Sequence, residues 1–201
     1  MVAQVENEIV GAVWVRIMND YGHIDDEMCN SDIFTNSVKC QELSQEKADI
    51  LSEEVLDFLA TVPKGRFQFE IGVQTTNPPT LKAINRQDNW EILVHNCQRL
   101  LGFGNMHLHL DLIAGLPYEG YADFAETFNE TYEYCIDTDS YIHQLQIGFL
   151  KLLHGAPMNN MIEEHGYAFS KNPPYQVLCN SYLSCEELNL LLGFEDVFER
   201  Y

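Results

Sequence analysis

From Phe67 onward, short stretches in which apolar and polar residues alternate are separated by longer stretches in which apolar residues recur every three or four positions. The first pattern predicts strands over 67–74 (FQFEIGVQ), 107–115 (HLHLDLIAG) and 144–153 (QLQIGFLKLL). The second predicts a helix through Trp90, Leu93, Val94, Cys97, Leu100 and Leu101, and another through Tyr121, Phe124, Ala125, Phe128, Tyr132 and Cys135. Upstream, Ser52-Glu53-Glu54 opens a short helix carrying Leu51, Val55 and Leu59, with acids in its first turn where the helix dipole favours them. Downstream, Ser184-Cys185-Glu186-Glu187 has the form of a capping box before a leucine-rich final helix.

Strands alternating with amphipathic helices predict βα units around a parallel sheet. Successive strand residues point to opposite sides, so Phe67, Phe69, Ile71 and Val73 share one face and Gln68, Glu70, Gly72 and Gln74 the other. His107, His109 and Asp111 likewise oppose Leu108, Leu110 and Leu112, and Gln144, Gln146 and Gly148 oppose Leu145, Ile147 and Phe149. An antiparallel sheet with a wet outer face would share this pattern, but it needs hairpins, and the intervening segments are long enough for crossover helices. The expected architecture is therefore a curved sheet or barrel whose polar face holds a ligand. Active groups in such barrels gather at the C-terminal strand ends. Those ends read Thr75-Thr76-Asn77-Pro78-Pro79, Gly115-Leu116-Pro117-Tyr118-Glu119 and His154-Gly155-Ala156-Pro157-Met158. Asn77 is expected to cap a helix with Pro78 in its first turn, and Gly115 and Gly155 to permit close backbone approach to a ligand.

Composition narrows the function. Eleven basic residues against 31 acidic ones leave a net charge of −20, which repels phosphate backbones and anionic lipid and excludes nucleic-acid or membrane-surface binding as the main activity. Residues 1–60 hold 13 acids and 3 bases, which sets the N-terminal region apart. There is no apolar run of spanning length, and MVAQVENEIV lacks the basic-then-apolar order of a signal peptide, which points to the cytoplasm. The six cysteines, at 29, 40, 97, 135, 179 and 185, lack the regular spacing of a zinc or disulfide framework and are expected to be mostly reduced, with Cys97 and Cys135 on apolar helix faces.

EIGVQTTNPPTLKAINR (70–86), HLDLIAGLP (109–117) and QLQIGFLKLLHGAPM (144–158) together resemble the later barrel strands of radical S-adenosylmethionine (SAM) enzymes. They resemble in particular cobalamin-binding-type members with a helical C-terminal extension, and more distantly oxygen-independent coproporphyrinogen oxidases. The resemblance implies an α/β fold, a parallel-stranded partial (βα) barrel incomplete at its N-terminus. Residues 1–45 would be an acidic N-terminal region, 46–160 the C-terminal part of the barrel, and 161–201 a loop and helical extension. It further implies that Gln74 and Asp111 face the ribose and amino-acid portions of SAM, that Arg86 contacts its carboxylate, and that Ile113 and the backbone from Leu145 pack on the adenine. Side-chain chemistry agrees: arginine offers a fork for a carboxylate, and Asp and Gln bind hydroxyl and ammonium groups.

Members of this family hold a 4Fe-4S cluster with a Cys-x-x-x-Cys-x-x-Cys loop, and this sequence contains no such triplet; Cys29 and Cys40 are separated by ten residues without a third partner nearby. Glu46, ahead of Asp49-Ile50, is a loose match to an acidic residue of an earlier strand. The chain is thus expected to be a fragment of a larger enzyme, a degenerate relative, or a half-barrel that borrows a cluster from the missing N-terminal part or a partner subunit. Cobalamin would belong to a full-length parent. Two other functions remain open: a non-catalytic SAM-binding or interaction module, and a zinc-dependent hydrolase built on His107, His109 and Asp111 with a further ligand from His95, His143 or His154.

Overall fold

A computed structural model describes residues 4–5, 8–9, 13–17, 51–86, 89–135 and 144–200. The element order is β1 (Gln4–Val5), β2 (Glu8–Ile9), β3 (Val13–Ile17), α1 (Glu53–Ala60), β4 (Phe67–Gln74), α2 (Pro78–Ala83), α3 (Trp90–Phe103), β5 (His107–Ala114), α4 (Tyr121–Cys135), β6 (Gln144–Phe149), a 3-10 turn (Pro157–Asn160), β7 (Ala168–Phe169), β8 (Val177–Cys179) and α5 (Cys185–Phe198). β4, β5 and β6 are neighbouring parallel strands joined through helices, an α/β arrangement. The strand expected over 144–153 stops at Phe149, and Lys151 instead bridges to Gln176. β3 pairs antiparallel with β4, Val13 opposite Ile71 and Ile17 opposite Phe67, an edge that the sequence pattern did not announce. Cys29, Cys40, Glu46, Asp49 and His143 lie outside the described residues. Among the described residues no helix is long and apolar enough to cross a membrane.

The chain divides into two compact units, with boundaries inside β4 after Gly72, inside β5 after Leu110 and before Leu145 in β6. In the first unit α1 packs on α3. Ser52 caps α1 by accepting the Val55 N–H, and Asn89 caps α3 by accepting that of Ile92. Leu56 and Leu59 are the buried residues of α1, whereas Leu51 and Val55, expected inside, are only half-buried. On α3 the expected Leu93, Cys97 and Leu100 are buried, joined by Asn96, whereas Trp90, Val94 and Leu101 are only half-buried. The Asn105 side chain donates to the carbonyls of Leu59 and Val62 and so satisfies the end of α1. Arg99 spans Glu53 and Asp57 at 2.7 and 3.3 Å, an exposed network of little net worth.

The second unit contains the strand ends, α2, most of α4 and the C-terminal extension. Phe124 is buried on α4 as expected, but its companions inside are Thr127 and Thr131, while Tyr121 and Tyr132 are largely exposed. Phe128 of α4 meets Phe194 and Phe198 of α5 edge-on, with ring centroids 5.1 and 5.2 Å apart. Ser184 and Glu187 form the expected capping box of α5. The Cys135 side chain lies outside the described residues.

Gly115 fixes the extension to the end of β5. Its φ is +91°, and a Cβ there would lie 2.8 Å from Val177 Cγ1, so the close approach foreseen for a ligand is made by the chain itself. Its carbonyl accepts the Tyr167 hydroxyl at 2.9 Å and the Asn180 amide at 3.1 Å. Gly155, at φ +79°, has open space around it and serves a turn. Gly115→Ala is expected to cost about 2 kcal/mol or more, because Val177 is a stiff, buried β-branched residue and the backbone disfavours a side chain there. Urea unfolding measures this, and an unchanged midpoint would contradict it.

Candidate functional site

At the end of β4 the chain turns sharply. Gln74 has φ +66°, and the Thr75 N–H closes a three-residue turn on the Val73 carbonyl at 2.8 Å. Positive φ in a non-glycine residue is costly and persists only where the surroundings enforce it. Here they do so through a buried polar cluster. Thr75 donates its hydroxyl to Glu119 Oε1 at 2.5 Å, and Thr127 donates to the same oxygen at 3.4 Å. The Thr76 N–H donates to Thr127 Oγ1, and the Asn77 N–H to Thr75 Oγ1. Two further side chains fasten the turn to the loop after β5: Asn77 donates to the Tyr118 carbonyl at 2.9 Å and Thr80 to that of Pro117 at 2.8 Å. Asn77 occupies the N-cap position of α2 with Pro78 next, as expected, but its side chain serves Tyr118 rather than the helix.

Gln74, Asp111 and Ile113 fall in this unit, half-buried, on the sides of β4 and β5 that alternate with buried Val73, Leu112 and Ala114. Among the described residues, Gln74 Oε1 is buried without a hydrogen-bond partner. The Leu145 side chain is buried among the core residues. β6 continues beside β5, where the Leu150 N–H donates to the Ala114 carbonyl and a Cβ on Gly148 would lie 3.3 Å from the Leu112 carbonyl. Arg86 belongs to the first unit and donates to the Gly72 carbonyl.

His107 and His109 share the half-buried side of β5 with Asp111. His95 is 3.3 Å from Glu53 on the surface, and His154 is exposed. Among the described residues no three His, Cys, Asp or Glu side chains converge to hold a metal ion, and His143, one of the candidate zinc ligands, lies outside those residues. The same finding, with the missing cysteine triplet, means that these residues do not fit an iron–sulfur cluster. Asp111 and Ile113 share one side of β5, and the Gln74 amide oxygen at the end of β4 is buried without a hydrogen-bond partner among the described residues.

A pocket of about 410 Å³ opens on the second unit, lined by Lys82, Tyr118, Met161, Glu164 and His165 among others. His165 is buried, shares a hydrogen bond of 3.0 Å between its Nδ1 and the Tyr182 hydroxyl, and meets Tyr118 edge-on.

Glu119, Thr75 and Thr127 were not singled out by sequence. Their partners lie 44 and 8 residues from Glu119, and a lone threonine on an apolar helix face gives no local sign of a buried carboxylate. A glutamate ending an otherwise apolar strand-end loop was the available clue.

Residues 163–201 match a family of proteins of unknown function (DUF4080). No curated protein matches. Coproporphyrinogen III oxidase from Escherichia coli, a solved structure described as a radical SAM enzyme, is similar with a TM-score of 0.45 and 20% identity, over 60% of this chain and 31% of that one. This chain therefore spans less than a third of that enzyme's length.

Burial pushes the Glu119 carboxyl up to about 7, against the hydrogen bonds from Thr75 and Thr127 that favour its charged form, with Asp123 nearby adding to the rise. Between the ordinary value of 4.5 and about 7, the folded chain holds a proton that the unfolded chain releases. The stability this contributes is complete below the lower value and is lost as pH rises through the upper one, amounting to about 3 kcal/mol. In denaturant titrations from pH 4.5 to 8, Glu119→Gln should remove this slope and gain on wild type as pH rises. Parallel pH profiles of the two proteins would refute the assignment.

Proposed function

We propose that this chain is the SAM-binding part of a radical SAM-type barrel. The observation that carries the reading is Gln74 at the end of β4 beside the neighbouring strand β5, one side of which carries half-buried Asp111 and Ile113, with the Gln74 amide oxygen buried and unpartnered among the described residues. The sequence resemblance supplies the ligand. Asp111 would accept hydrogen bonds from ribose hydroxyls, Gln74 from a further hydroxyl or the ammonium, and Ile113 would cover the adenine. The rigid turn at Gln74, held by Glu119, presets that side chain and lowers the entropy lost on binding.

Radical generation is a different matter. A 4Fe-4S cluster supplies the electron that cleaves SAM in such enzymes, and its thiolates would have to come from further chain or a partner subunit. Cobalamin-dependent methyl transfer would likewise need residues beyond these.

Calorimetric titration with SAM after anaerobic treatment with iron and sulfide tests the reading. Binding without retained iron is expected, weakened about tenfold or more by Asp111→Asn or Gln74→Ala, since each removes a hydrogen bond to a polar ligand. Absence of binding, or binding indifferent to both substitutions, would overturn it; retention of about four irons per chain would overturn the statement that these residues lack a cluster site.

A further inference from the structure

Three segments of the second unit wall the pocket of about 410 Å³: α2 with Pro79, Lys82 and Ala83, the loop after β5 with Tyr118, and the stretch following the 3-10 turn with Met161, Glu164 and His165. Small ligands are commonly held in pockets of about 300–1,000 Å³, so the space suits a compact molecule. None of Gln74, Asp111 and Ile113 lines it, which separates it from the proposed SAM site.

The chain presents these groups without using them. Tyr118 stands at φ +62°, a costly conformation for a non-glycine residue, and Asn77 holds it there by donating to its carbonyl at 2.9 Å. Its ring meets that of His165 at 5.0 Å between centroids, yet the residue is 43% exposed. Lys82 and Glu164 are exposed, and among the described residues neither enters an ion pair. His165 is 1% exposed; its Nδ1 is engaged by Tyr182, while Nε2 is buried without a partner among the described residues. A buried polar atom left unpaired in a pocket wall calls for a partner from outside the chain.

We propose that this pocket binds a free α-amino acid with an apolar side chain. A free cation and a free anion on one wall match a zwitterion, its carboxylate toward Lys82 and its ammonium toward Glu164. A simple acid or a simple amine leaves one of the two unanswered. Tyr118, Met161, Pro79 and Ala83 supply the apolar surface for the side chain. His165 serves in either tautomer, since Nε2 with its proton donates to the carboxylate and without it accepts from the ammonium.

The test is calorimetric titration of the whole chain, without SAM, using L-phenylalanine, 3-phenylpropionate (no ammonium) and 2-phenylethylamine (no carboxylate). Phenylalanine should bind one per chain, about tenfold or more tighter than either analogue, since each analogue loses a charged hydrogen bond. Lys82→Met should weaken phenylalanine about tenfold and leave phenylethylamine unchanged, and Glu164→Gln should weaken phenylalanine and leave phenylpropionate unchanged. Both substitutions fall at exposed positions and are expected to fold, which circular dichroism checks. Absence of saturable phenylalanine binding through the millimolar range, phenylalanine no tighter than its analogues, or both variants binding it like wild type would overturn the proposal.

Discussion

The carbonyl of Gly115 is the point on which the second unit depends. A strand that ends in a buried loop leaves backbone acceptors without ladder partners, and each must be satisfied or paid for. Gly115 receives Tyr167 and Asn180, Pro117 receives Thr80, and Tyr118 receives Asn77. Every one of these donors is a side chain, drawn from α2 on one side and from the extension on the other. Burial holds the Tyr167 phenol well above its ordinary value, so it stays a donor throughout the physiological range. The missing Cβ of Gly115 is what lets Val177 approach closely enough for Asn180 to reach.

Glu119 extends the same logic at a higher cost. A carboxyl with no exposed surface is tolerated when neutral or well hydrogen-bonded, and here one oxygen takes two threonine hydroxyls while Oε2 has no partner among the described residues. The return is conformational: Thr75, the residue held by Glu119, immediately follows the positive-φ Gln74. Strain at a strand end, enforced by a buried network, is the arrangement expected where a side chain has to be presented to a ligand in one orientation.

Much of this could be read from the chain. The alternation in FQFEIGVQ and HLHLDLIA placed two strands and both of their faces, and Ser184 and Glu187 announced the start of the last helix, because these signals lie within a few residues of one another. What escaped was long-range. Thr127 looks like an interruption of an apolar face until Glu119 is brought beside it, and that pairing demotes Tyr121 and Tyr132 to the surface. Leu56 rather than Val55 is inside α1 because contact with α3, not the local apolar count, decides which side faces in. The antiparallel β3 came from a region whose acidic composition hid its pairing.

β5 joins stability to chemistry most directly. Leu108, Leu110, Leu112 and Ala114 are fully buried, while His107, His109, Asp111 and Ile113 alternate with them. A register slip of one residue would turn the leucines to solvent and Asp111 into the core, so apolar packing alone fixes which way Asp111 points. Gly148 tightens that constraint, since the space over the Leu112 carbonyl leaves little room for a side chain on the neighbouring strand. The side carrying His107, His109 and Asp111 is therefore positioned by the packing of the apolar side.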